Sequence, residues 1–240
     1  ITVLALADGA GSSWLSHYGS SLIVSAACDY VCSCWPSAEF VADFAESMLD
    51  GFGNLLRESS RRGIDLTESE RLERDLPKRV DLPLVPCDIR DLSCTVLVVA
   101  LRGNDYFGFH VGDGVVGAQI ERHGVSTLEV ISGPTNGEFA NETVFVTSKR
   151  AKEEARIFKG RVDAPGRKTT GFILMSDGPE ASLFDKRNYE LSNACSKLFE
   201  ASRKFDEDSM DEALEETLVN VVSKRTNDDC SIALMARVSR

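Results

Sequence analysis

Two rhythms of apolar residues alternate along this chain. Val3 to Ala7 and Cys94 to Leu101 are short, continuous apolar runs rich in β-branched residues. Such runs predict strands buried on both faces. Tyr106–Val111 and Val115–Ile120 predict two more strands around Gly112-Asp113-Gly114. Val125–Ile131 returns after the turn at His123-Gly124. Thr143–Thr147 and Arg156–Val162 read as short strands, Phe172–Ser176 as a strand ending at Asp177-Gly178, and Ser231–Val238 as the last strand. The other rhythm has the spacing of helices. It covers His17–Val31, Tyr189–Phe205, Ser209–Arg225 and a stretch that Ser37 would cap. In that stretch Val41, Phe44, Ala45, Met48, Phe52, Leu55 and Leu56 share one face.

Between Arg57 and Asp91 the chain is highly charged. Glu70 and Arg74 have the spacing of a helical ion pair, and Pro77, Pro83 and Pro86 interrupt regular structure. An exposed helix and loop with a solvated face are expected. Helices at both ends of a mainly antiparallel strand set predict an α+β fold. The expected form is a four-layer α-β-β-α sandwich: two mainly antiparallel sheets flanked by helices. One domain is expected over residues 1–240, with its N-terminal edge missing because the chain opens directly on a strand.

Three of the predicted strands have an aspartate at one end: Asp8-Gly9 after the first, Asp177-Gly178 after a central one, and Asp228-Asp229 before the last. If the first two strands leave their sheets at one rim and the last enters there, the carboxylates converge. Like charges brought together are costly unless a cation neutralises them. Oxygen ligands without His or Cys select Mg²⁺ or Mn²⁺. Glycine after aspartate lets the backbone approach closely, so that its carbonyl can also reach a metal.

The net charge of −11 disfavours nucleic acid and anionic membranes as partners and suits a cation-binding rim. Seven cysteines without a CxxC pair read as reduced, buried, structural thiols, which points to a reducing, cytoplasmic setting. His17, His110 and His123 are not spaced as zinc ligands. No apolar run reaches the ~18 residues of a membrane span.

In order, the chain carries ADGAGSS at Asp8, SCTVLVVAL at Thr95, HVGDGVV at Asp113, ILMSDGPEA at Asp177 and TNDDCSIALMA at Asp228. This series resembles the protein phosphatase 2C-like, metal-dependent serine/threonine phosphatases. It is most similar to a bacterial subgroup with ADGAGS and a GEFAN-type segment, here residues 137–141. The resemblance implies hydrolysis of phosphoserine or phosphothreonine on proteins, with two Mg²⁺ or Mn²⁺ ions as cofactor. Asp8 would bridge both ions, the Gly9 carbonyl would bind the second, and Asp177 and Asp228 would complete the first site. These residues would act through a metal-activated water, with the ions about 3.5–4 Å apart clamping an in-line displacement. Asp113 would orient its turn, and Glu138 and Asn141 would line the mouth or a third-metal position. Phosphorylated products of a cognate serine/threonine kinase are the implied partners.

The chain departs from the family pattern in three places. Ala10 stands where many members have a histidine proposed as general acid. Ala181, with Glu180 beside it, stands where some members have a third-metal carboxylate. The acidic and arginine residues that precede the first motif in the family are not in this sequence. Two rival readings follow: a pseudophosphatase that binds phosphoproteins or a kinase without turnover, and a hydrolase of small phosphoesters.

Overall fold

A strand that is apolar at every position needs cover on both faces, and the architecture supplies it. The computed structural model describes residues 1–35, 41–134, 143–226 and 228–237. Its strands are β1 (Thr2–Leu6), β2 (Val96–Arg102), β3 (Asp105–Val111), β4 (Val115–Arg122), β5 (Val125–Ser132), β6 (Arg156–Arg161), β7 (Asp163–Ala164), β8 (Arg167–Met175), β9 (Phe184–Asp185), β10 (Glu190–Leu191) and β11 (Ile232–Ala236). The helices are α1 (Ser16–Ser33), α2 (Val41–Arg62), α3 (Glu68–Glu73), α4 (Ala151–Glu154), α5 (Asp177–Leu183), α6 (Asn193–Ser202) and α7 (Glu207–Thr217).

The first sheet has the order β1-β2-β3-β6. The second has the order β11-β8-β4-β5, with β7 also on β8. Every pairing is antiparallel. Side chains alternate across a strand, so β2 feeds two separate cores. Val96, Val98 and Ala100 pack with α1 and α2 residues such as Ile23, Ala27, Met48 and Phe52. Leu97 and Val99 face Phe172 and Leu174 of β8 in the space between the sheets. On the far side of β8, Ile173 and Met175 meet Leu183, Cys195 and Phe199 of α5 and α6. Three apolar layers thus separate four layers of backbone, giving the α-β-β-α sandwich.

Several local expectations are corrected. α2 runs on to Arg62, so the charged stretch begins inside this helix, and the separate helix expected there is α3. Thr143–Thr147 is not a strand: the hydrogen bonds of Ser148 N–H to the Phe145 carbonyl and of Phe145 N–H to Ser148 Oγ fold it into a turn. Asp177 opens α5, and the β9–β10 hairpin follows. Tyr189 has a left-handed φ of 55°, and α6 begins only after Ser192 caps it. α7 spans Glu207–Thr217 and gives way to a π turn over Leu218–Val222.

Glu70 does not pair with Arg74. It closes the capping box of α3 with Thr67 and accepts hydrogen bonds from Tyr18 and His17, while Arg74 lies 4.8 Å over the Trp14 ring. The charged loop is also not merely solvated. Arg71 is 1% exposed and donates to the carbonyls of Leu66, Pro77, Leu82 and Pro83. Of the seven free cysteines only Cys94 and Cys195 are buried, and Cys32 and Cys34 are exposed. Ser37, Glu138 and Asn141 lie outside the described residues.

Candidate active site

Asp8 follows β1 at the rim of the first sheet. Its backbone is fixed on both sides by Thr95, whose N–H donates to the Asp8 carbonyl at 2.8 Å and whose Oγ1 accepts from the Asp8 N–H at 3.1 Å. Gly9 bridges to Cys94, and a Cβ on Gly9 would lie 2.6 Å from Ser16 Oγ. Ala10 is buried and donates its N–H to the Ser93 carbonyl.

In the second sheet, Met175 of β8 is in register with Ile232 of β11. Asp177, just after β8, and Asp228, just before β11, therefore share one end. Ser176 latches the two strands: its N–H donates to the Ser231 carbonyl, its Oγ donates to the Asp229 carbonyl, and Oγ accepts from the Ser231 N–H. A Cβ on Gly178 would lie 2.2 Å from the Asp229 carbonyl oxygen, so only glycine permits this approach.

The structure brings Asp8, Asp177 and Asp228 together and adds Asp229 and Asp113. Burial is the first cause that raises the Asp8 carboxyl above its ordinary range. The charge of Asp177, a hydrogen bond with it, and the charges of Asp228 and Asp229 add to the shift. Asp177 is also raised, by burial first and then by Asp113 and Asp228, while its hydrogen bond with Asp8 works against the shift. Two adjacent carboxylates resist ionising together, and the pair as a whole holds protons more tightly than isolated carboxyls do. Among the described residues no three acidic, His or Cys side chains point at one ion position. Both observations describe one arrangement, because carboxyl oxygens turned on each other are not turned on a common centre. Asp228 is among the charges that act on Asp177, and both Asp228 and Asp229 act on Asp8.

Further groups support the rim, of which the sequence named Asp113 and Glu180 but not Arg156 or Ser132. Asp113 accepts a hydrogen bond from Thr143 Oγ1 and faces Asp177 through its charge. Glu180 is 3% exposed and paired with Lys186 at 2.7 Å. Beside the Asp113 turn, Arg156 of β6 donates to the Gly112 and Gly133 carbonyls and, at 2.8 Å, to His110 Nε2. His110 Nδ1 meets Ser132 Oγ at 2.8 Å and so joins the two sheets. Burial first, then the Arg156 charge, holds the His110 imidazolium well below its usual range. The neutral ring therefore accepts at Nε2 and donates from Nδ1. In sequence only the strand-end position of His110 hinted at this.

A family model for protein phosphatase 2C matches residues 1–219. The chain belongs to the protein phosphatase 2C family. That makes it a protein serine/threonine phosphatase by class, and the family is metal dependent. Solved structures share the fold of this 2C-family chain at low identity. Serine/threonine phosphatase Stp1 from Staphylococcus aureus matches with TM-score 0.61 and 14% identity over 99% of this chain and 84% of its own. The catalytic domain of the serine/threonine protein phosphatase PstP, in complex with two manganese ions, matches with TM-score 0.56 and 18% identity over 99% of this chain and 88% of its own. PppA, a regulatory component of T6SS in Pseudomonas aeruginosa, matches with TM-score 0.52 and 20% identity over 97% of this chain and 84% of its own. Comparison with curated proteins gives no match. Among the described residues no helix is long and apolar enough to cross a membrane.

Proposed function

We propose that this chain, acting as one domain over residues 1–240, hydrolyses phosphoserine and phosphothreonine on other proteins. It would do so with two divalent ions, Mg²⁺ or Mn²⁺, held by Asp8, the Gly9 carbonyl, Asp177 and Asp228. The observation that carries the reading is the meeting of Asp8 and Asp177, from the ends of strands in different sheets, with Asp228 beside them. The donor chemistry fits, since the converging side chains are carboxylates and suit hard ions. Their mutual repulsion is the cost that a cation would relieve. The two manganese ions on PstP support the same choice.

Such ions supply an acidified water and neutralise charge on the phosphoryl oxygens. The chain's own residues place the ligands. Thr95 fixes the Asp8 backbone, Ser176 ties the Asp228 approach to β8, and Thr143 holds Asp113 beside Asp177. With Ala10 buried where an imidazole would stand, the leaving-group proton comes from solvent. Phosphorylated proteins, including products of a cognate serine/threonine kinase, are the proposed partners. A role on nucleic acid or at a membrane is not part of the reading. A cytoplasmic setting rests on the seven free thiols.

The test is release of phosphate from a phosphothreonine peptide with Mn²⁺, with chelator, and by the Asp177→Asn variant. Turnover that needs metal and collapses in the variant is expected. A folded, metal-treated protein with no turnover would leave the phosphoprotein-binding pseudophosphatase in its place.

A further inference from the structure

A buried polar atom without a partner is expensive and calls for a reason. Among the described residues three side-chain atoms are in that position: Arg156 Nε, Glu180 Oε1 and Ser182 Oγ. Two of the three belong to residues that line one cleft. It has a volume of about 560 Å³, and Asp177, Phe184, Asp185 and Lys186 also line it. Because Asp177 is part of its wall, the cleft opens beside the catalytic rim.

The Glu180 side chain is 4% exposed, and its Oε2 is held at 2.7 Å by Lys186 Nζ, whose side chain is 65% exposed. Nothing in the described residues answers Oε1.

We propose that this cleft is a substrate subsite that takes an arginine or lysine side chain lying near the phosphorylated residue. This deepens the phosphatase reading and rests on it. An ionised carboxylate accepts hydrogen bonds and donates none, so the orphaned oxygen asks for a donor. An acidic side chain would bring acceptors to an acceptor and is rejected. A cationic head that enters as Lys186 yields would donate to Glu180 Oε1. Phe184, itself buried, offers an apolar wall for the methylene stem of a long basic residue. With Asp177 and Glu180, Asp185 makes three carboxylates in the wall against the two cations Lys186 and Arg187. Lys186 closes the other side of Glu180 from an exposed position, from which it can yield without disturbing the core.

The test uses phosphothreonine peptides that carry arginine, norleucine or glutamate at one flanking position, scanned on both sides, with Mn²⁺. p-Nitrophenyl phosphate serves as a substrate with no flanking residue. At one position arginine should lower KM about tenfold relative to norleucine, the gain of one charge-assisted hydrogen bond in a half-open site. The ratio of kcat/KM for the arginine and norleucine peptides reads the subsite whatever a variant does to turnover. Glu180→Gln should bring that ratio close to one. Lys186→Met should raise it, because Glu180 loses its internal partner. Should Glu180→Gln fail to fold, the Lys186→Met ratio decides.

Turnover of p-nitrophenyl phosphate with no peptide preference overturns the subsite and leaves the phosphatase standing; water then fills the cleft. A preference that neither variant moves also overturns it. Absence of turnover on every substrate overturns the phosphatase reading, and the subsite falls with it.

Discussion

The acidic rim and the loop around Arg71 both take charge out of water, and they treat it in opposite ways. Arg71 is 1% exposed, and its guanidinium is met by four backbone carbonyls from Leu66 to Pro83. At the rim, burial and neighbouring carboxylates work together against ionisation of Asp8 and Asp177. The first charge is complete within the protein and stiffens a loop. The second has no such answer among the groups that act on it, and on the proposed reading a cation supplies it. Satisfaction, more than burial, separates a structural charge from a functional one.

The contrast can be broken in four places. Asp177→Asn should cost about 10³-fold in kcat/KM on a phosphopeptide, the scale of removing a group that organises transition-state charge. In chelator its thermal midpoint should hold or rise, because a like charge has left. A marked fall in the midpoint would make the rim a structural ion network.

Arg71→Met should do the reverse. Four carbonyls lose their donor, which costs about 3 kcal/mol and, at about 2–4 °C per kcal/mol, lowers the midpoint by roughly 6–12 °C. The metal dependence of turnover should stay as it was. Melting curves and a Mn²⁺ titration read both halves of that statement.

Gly178→Ala drives a methyl into the Asp229 carbonyl and should cost about 1–3 kcal/mol by overpacking. Phosphatase activity should fall with it, since the β8–β11 latch carries Asp177 and Asp228. A variant of full stability and full activity would show that the latch can open freely.

The smallest effect belongs to Glu70, which ties the charged loop to α1. Burial alone would raise its carboxyl, but hydrogen bonds from the Thr67 side chain and backbone, from Tyr18 and from His17 outweigh it and bring the carboxyl down to about 2. A lowered carboxyl contributes stability above its ordinary value of 4.5, and that stability is lost as pH falls towards 2. Glu70→Gln should flatten the acid limb of the stability curve in that window and lower stability slightly at neutral pH, by what the parent protein loses on acidification. Acid titration followed by circular dichroism would reveal an unaltered limb if the tie is absent.

Much of this was legible in the chain. The layers could be read because β2 and β8 are apolar on both faces, and a strand of that kind is stable only between two apolar layers. The convergence of Asp8, Asp177 and Asp228 could be read because each sits at the end of an apolar strand. What escaped was set by contacts distant in sequence. Arg71 reads as solvated in a charged run, and its carbonyl acceptors gather only when the proline-rich turns fold back over it. Glu180 reads only as the neighbour of Ala181 at a third-metal position, and its burial appears only once α5 is packed. The Glu70–Arg74 spacing promised a helical pair, yet a capping box and two ring-bearing partners on α1 were the stronger claim on Glu70. Thr143–Thr147 has β-branched composition, but Ser148 offered its backbone a turn instead.

Asp8 hangs from the first sheet, and Asp177 and Asp228 from the second. Between the two sheets lies the layer built by Leu97, Val99, Phe172 and Leu174, about 10 Å thick as such layers are. Hydrocarbon therefore acts as the gauge block that sets the gap between Asp8 and the Asp177–Asp228 pair. A methylene added to or taken from that layer would widen or narrow the gap without touching one polar atom. On the proposed two-ion reading, the preference for a larger or a smaller ion would then be tuned from residues that never meet solvent.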